Sequence, residues 1–159
     1  MIPAEPRILL IGYGNPGRLD DGLGPAVAAA VEKLALPNVT IESDYQLTVE
    51  DASQIAEHDI VIFCDAAVSG AEPFDFFEIA PKKDDISFST HSIDPSAVLG
   101  LACTLFQAKT KAYVLAIRGY DFNEFGEKLS DKAQNNLLDA FKFLEKRLKT
   151  RDFSQVNKR

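Results

Sequence analysis

Two stretches of this chain, "RILLIG" (Arg7–Gly12) and "DIVIFCD" (Asp59–Asp65), are apolar almost without interruption. A strand with one wet face alternates, whereas a run that does not alternate has to be covered on both faces, as in a parallel sheet between layers of helix. Helical spacing follows the first run at Val27, Ala30, Val31 and Leu34, after Gly24 and Pro25, which read as an N-cap and first helical position. That helix is expected to end near Pro37. "VTIES" (Val39–Ser43) reads as a short strand, and Thr48 with Asp51 offers a variant capping box ahead of a helix through about Glu57. "FDFFEI" (Phe74–Ile79) alternates like an edge strand, so the sheet is expected to be mixed.

Asp94 and Pro95 open a third helix through about Gln107, and "AYVLAI" (Ala112–Ile117) is a last buried strand. Ser130 caps a long C-terminal helix whose apolar stripe is Ala133, Leu137, Phe141, Leu144 and Leu148. Strands alternating with helices predict an α/β three-layer sandwich, a mostly parallel sheet with helices on both faces. A chain of 159 residues with 46% hydrophobic content suits one core, read here as a single domain over 1–149. The tail 150–159, "TRDFSQVNKR", is polar and aperiodic and is expected to fray.

Charge narrows the partners. With 17 Lys and Arg against 24 Asp and Glu the net charge is −7, and no basic stripe follows a phosphate backbone, so nucleic acid is not an expected partner. The apolar runs are strand-length and "MIPAEPR" lacks the pattern of a signal segment, so no membrane association is expected and the reading is cytoplasmic. Cys64 and Cys103 sit in apolar surroundings and read as buried core thiols. His58 reads as a cation at a helix C-terminus and is given no chemistry.

After the first strand, "GYGNPGRLDDGLG" (12–24) sets Gly12, Gly14 and Gly17 in the G-x-G-x-x-G spacing of a dinucleotide turn, with Glu42 or Asp44 where a ribose-binding acid belongs. Three features oppose that reading. The helical period does not resume until Val27, Pro16 lacks an N–H for phosphate, and Asp20 and Asp21 would repel a dianion. A Rossmann-like nucleotide-binding protein therefore stays as the alternative, with no nucleotide expected. In the preferred reading the glycines let the chain leave the strand sharply and carry Asp20 and Asp21 over the carboxyl edge of the sheet, where open α/β folds place their ligands. Taken alone, an acid pair before a helix also reads as capping.

Asp65 ends the second buried run and should emerge at the same edge, although an acid there also serves as a turn residue. His91, in "FSTHSIDP", lies just before the Asp94–Pro95 helix start. Two carboxylates and an imidazole suit a borderline divalent ion with coordination positions left open, the arrangement metal-assisted hydrolysis needs.

"ILLIGYGNPGRLDDGLG", "YQLTVEDA", "DIVIFCDAA", "THSIDPSAVLGLA" and "GEKLS" together resemble the [NiFe]-hydrogenase maturation endopeptidases, in the family's order and across most of the chain. The resemblance implies a twisted five-stranded sheet between helices. It also implies three ligands at Asp21, Asp65 and His91, and removal of a C-terminal extension from the hydrogenase large-subunit precursor once nickel has been inserted. Nickel would then arrive with the substrate, and the enzyme would act as a monomer. A noncatalytic chaperone of the large subunit is a further reading that would not need the three ligands. Two departures stand out: some members carry Glu where this chain has Asp21, and the family's N-P-L-R-G-D-D reads "NPGRLDD" here, which exchanges Gly17 and Leu19.

Overall fold

The computed structural model describes residues 5–82 and 93–159. The two uninterrupted apolar runs become β1 (Ile8–Tyr13) and β3 (Ile60–Ala67), central and parallel in a sheet of order β2-β1-β3-β5-β4-β6. β2 is Val39–Asp44, β5 is Lys111–Arg118, and β4 (Phe74–Ile79) runs antiparallel to β5. Helices α1 (Leu23–Glu32) and α4 (Asp131–Thr150) cover one face; α2 (Asp51–Ala56) and α3 (Pro95–Phe106) cover the other.

The two-residue period of the strands divides the core. Ile8, Leu10, Ile60, Ile62 and Leu115 face α1 and α4, while Leu9, Ile11, Val61, Phe63 and Val114 face α2 and α3. Two of the caps expected from sequence are made in full: Asp94 Oδ1 accepts from Ala97 N at 2.8 Å, and Ser130 Oγ accepts from Ala133 N at 3.2 Å. Of the Thr48–Asp51 box, Asp51 Oδ2 accepts from Thr48 N at 2.8 Å, while Glu50 stands at the N-cap of α2.

Three expectations need correction. The sheet has six strands, because the tail 150–159 does not fray: Asn157–Lys158 forms β6 and pairs in parallel with β4. Phe153 and Val156 pack on the core, and Arg159 reaches Asp75 at 2.6 Å and stacks over Phe77. The tail's apolar residues are too few to show a period, yet an open β4 edge supplies them with a partner. The first helix starts at Leu23, with Gly24 and Pro25 inside its first turn, where a missing N–H costs no hydrogen bond. Cys103 is only partly buried, whereas Cys64 is fully buried.

Candidate functional site

The carboxyl ends of β1, β2, β3 and β5 share one edge of the sheet. From β1 the chain crosses to β2 through α1 on one face and then to β3 through α2 on the other, so the strand order reverses between β1 and β3. Such a switch point leaves a crevice at the carboxyl edge.

Close glycine contacts bring the start of α1 onto that crevice. A Cβ at Gly24 would lie 2.4 Å from the Tyr13 carbonyl oxygen and 2.5 Å from that of Cys64, and one at Gly12 would lie 2.3 Å from the Gly24 carbonyl oxygen. Only bare backbone fits there, so the helix rests directly on the ends of β1 and β3. Gly14, at φ 141°, would place a Cβ 2.1 Å from the Asp21 carbonyl oxygen. Gly12 and Gly14 of the apparent dinucleotide motif are thus occupied in packing the chain against itself.

Between them, Asn15 Oδ1 accepts from Gly17 N at 2.9 Å, and a 3-10 turn (Leu19–Gly22) runs straight into α1. Leu19 sits at φ 53°, in the left-handed region. It occupies the position that carries glycine in the resembling family's pattern, so the exchange of Gly17 and Leu19 places a side chain where backbone strain is about 1–3 kcal/mol.

The two adjacent acids of this turn do different things. Asp20 is fully buried. Its Oδ2 accepts from Tyr120 N at 2.8 Å, Asp121 N at 3.0 Å and Ser130 Oγ at 2.7 Å, while Oδ1 accepts from Ser130 N at 2.7 Å. Burial alone would raise its pKa, but these donors outweigh it and hold the carboxyl below its ordinary value. Asp20 therefore ties the glycine loop to the β5–α4 connection. Asp21 is half-buried and accepts from Asn15 N at 2.8 Å through Oδ2.

Asp65 lies on β3 one residue beyond the last β1–β3 pair, Gly12↔Cys64, and opposite Ala116 of β5. The strand continues to Ala67, so Asp65 stands at the crevice from within a strand and not from the loop that its sequence position suggested. Its Oδ1 accepts from Ala66 N at 2.8 Å. Burial, reinforced by the Asp21 carboxylate and opposed by the Ala66 N–H and the Tyr13 hydroxyl, pushes its pKa up to about 6. The Tyr13 hydroxyl is itself driven up, by burial first and then by Asp65. Asp21 and Asp65 are thus close enough to repel, and no ion pair among the described residues reaches either one.

Tyr13 was not singled out from sequence. An aromatic hydroxyl on the last residue of a buried strand, at the edge where ligands bind, was the available signal. His91 lies outside the described residues, and among those described no group of three His, Cys, Asp or Glu side chains is assembled to hold a metal. Among them, too, no helix is long and apolar enough to cross a membrane.

No protein-family model and no curated protein matches the chain. Solved structures do. The [NiFe] hydrogenase maturation protease HycI from Thermococcus kodakarensis KOD1 superposes with a TM-score of 0.70 at 24% identity, over 90% of this chain and 92% of that one. The hydrogenase maturating endopeptidase HybD from E. coli gives 0.65 at 22% identity, over 95% of each chain. A hydrogenase 2 maturation peptidase from Thaumarchaeota archaeon SCGC_AB-539-E09 gives 0.66 at 20%, over 91% of this chain and 99% of that one. Over nearly its whole length, the chain has the fold of the [NiFe] hydrogenase maturation proteases.

Proposed function

We propose that this chain is an endopeptidase that removes the C-terminal extension of a [NiFe]-hydrogenase large-subunit precursor after nickel insertion, and that it recognises the nickel the substrate carries. The observation that carries the reading is the pair Asp21 and Asp65, two carboxylates brought to one crevice by a loop and a strand and left without a cation among the described residues. Mutual repulsion of that kind is unfavourable for a fold and favourable for a divalent ion. The shared fold supports the same reading, since the neighbours are maturation proteases by name.

His91 would complete the ligand set. Oxygen and imidazole donors without thiolate hold nickel weakly by themselves, which suits an ion that arrives with the substrate and leaves with the product. Ligation orients the adjoining peptide so that its carbonyl or an attacking water is polarised. A carboxyl with a pKa near 6 is matched to proton transfer near neutral pH, so Asp65 is the better placed of the two acids to act as general base. No Ser or Cys nucleophile is required, and Cys64 is unsuited to be one: it is fully buried, and burial pushes its thiol well above the ordinary range.

His91→Ala tests the ligand set. It is expected to abolish release of the extension, followed by mass, while leaving the thermal midpoint within a few degrees of wild type. A variant that unfolds, or that processes precursor at the normal rate, removes His91 from the site.

A further inference from the structure

The loops that surround the acid pair also carry apolar side chains standing free in water. Phe125, in the β5–α4 connection, is 84% exposed; Val68, just after β3, is 71%; and Tyr45, just after β2, is 70%. All three leave the sheet at its carboxyl edge, the edge that holds Asp21 and Asp65. Phe125 is the best defined of them. Its neighbour Gly126 accepts from Leu19 N at 2.9 Å and donates to Gly17 O at 2.8 Å, so the residue is clamped to the loop bearing Asp21. The Arg18 guanidinium lies over its ring, 5.6 Å from the centroid. A rigidly held, solvent-exposed phenylalanine loses little entropy on binding and has the character of an interface anchor.

The charge around these residues has one dominant sign. Glu50, Glu72, Asp121, Glu124 and Glu127 belong to the connections at this edge and Asp44 ends β2, against Arg18 and Lys128 in the same loops and Arg118 at the end of β5. The opposite edge carries Arg7, Lys109 and Lys111 around a cavity of about 380 Å³. Beside Phe125 a groove of about 310 Å³ is lined by Leu19, Phe122, Asp121 and Glu124, mixing apolar wall with carboxylates. A surface of this composition selects a partner that is positively charged and has apolar recesses, because like charge is repelled before contact and unlike charge is steered in.

We infer that the carboxyl edge is the docking face for the precursor protein: Phe125, supported by Tyr45 and Val68, enters an apolar recess of the precursor, and the surrounding acids meet a basic surface on it. This rests on the proposed function for the partner's identity. It adds that the folded substrate is held by surface contacts around the acid pair as well as through its metal, so that the two sets of contacts reinforce one another.

The test measures affinity of the full chain for nickel-loaded precursor, with cleavage followed in parallel. Phe125→Ala is expected to weaken binding about tenfold, the scale of an interface anchor, with the thermal midpoint and kcat unchanged. Leu105→Ala removes a comparably exposed side chain (59%) at the amino edge and is expected to change nothing. Added salt should weaken wild-type binding, and the double variant E124K/E127K should weaken it at low salt and flatten that dependence. Wild-type affinity in Phe125→Ala, an equal loss in Leu105→Ala, or binding indifferent to salt and to the charge reversal overturns the docking face. Tight binding without release of the extension would instead contradict the proposed activity and leave the docking face standing.

Discussion

Alanine at position 20 is expected to cost the fold about 4 kcal/mol, whereas alanine at position 21 should cost about 1 kcal/mol or less. The difference follows from what each carboxylate holds. Removing Asp20 leaves three part-buried backbone N–H groups, those of Tyr120, Asp121 and Ser130, without their acceptor, and deprives the Ser130 hydroxyl of its acceptor at the start of α4. Asp20→Asn should be nearly as damaging, because one of its two terminal atoms becomes a donor facing donors. Asp21 gives up one bond, from Asn15 N, at a half-exposed position.

A pH series separates the Asp20 effect from general loss of packing. The folded pKa of Asp20 lies below its unfolded value, so the ionised carboxylate contributes stability that is present above about pH 4 and is lost as pH falls through the folded value. The gap between wild type and Asp20→Ala in denaturant unfolding should therefore narrow on the acid side. A gap that stays constant with pH would mean that the carboxylate's charge is not what stabilises the loop.

The second large effect is on activity. Asp65→Asn and Asp21→Ala are each expected to reduce release of the C-terminal extension about a thousandfold or more, the scale of losing several kcal/mol of metal-assisted stabilisation. Neither should weaken the fold much, and Asp65→Asn should strengthen it at pH 7. Asp65 has a folded pKa raised to about 6, above the unfolded value. Its contribution to stability is thus fully present below about pH 4 and is lost as pH rises through about 6, where the charge forms beside Asp21. Asparagine removes that penalty, so the variant should be at least as stable as wild type at neutral pH, with the advantage vanishing in acid. A noncatalytic chaperone would bind precursor normally without either acid and would release no extension even as wild type, whereas variants that retain processing would remove Asp21 and Asp65 from the catalytic site.

Most of the architecture was legible because burial leaves local marks. Uninterrupted apolar runs identified β1 and β3 as covered on both faces, and Asp94 and Ser130 marked helix starts by side chains that satisfy free N–H groups close in sequence. The misses share a cause in contacts distant along the chain. The tail strand β6 exists because β4 presents an open edge some eighty residues earlier in the chain. The division of labour between Asp20 and Asp21 depends on Tyr120, Asp121 and Ser130, which a local reading of "LDDG" cannot include. The glycines were ambiguous for a related reason. Close approach of a helix to a strand and close approach of a phosphate to a loop demand the same absent Cβ, and only the position of Gly24 against Tyr13 and Cys64 distinguishes them.

Nickel carried by the substrate is the centre of this account, and its direct test is a comparison of two precursors. Metal-free enzyme is mixed with nickel-loaded and with nickel-free precursor, each in the presence of a chelator too slow to strip the buried ion, and loss of the C-terminal extension is followed by mass. Only the nickel-loaded precursor is expected to be shortened, because the ion supplies both the second contact and the orientation of the scissile peptide. Equal cleavage of both precursors, or activity that tracks metal added to the enzyme, would contradict recognition through the substrate's nickel and make the acid pair the site of an ordinary metallopeptidase.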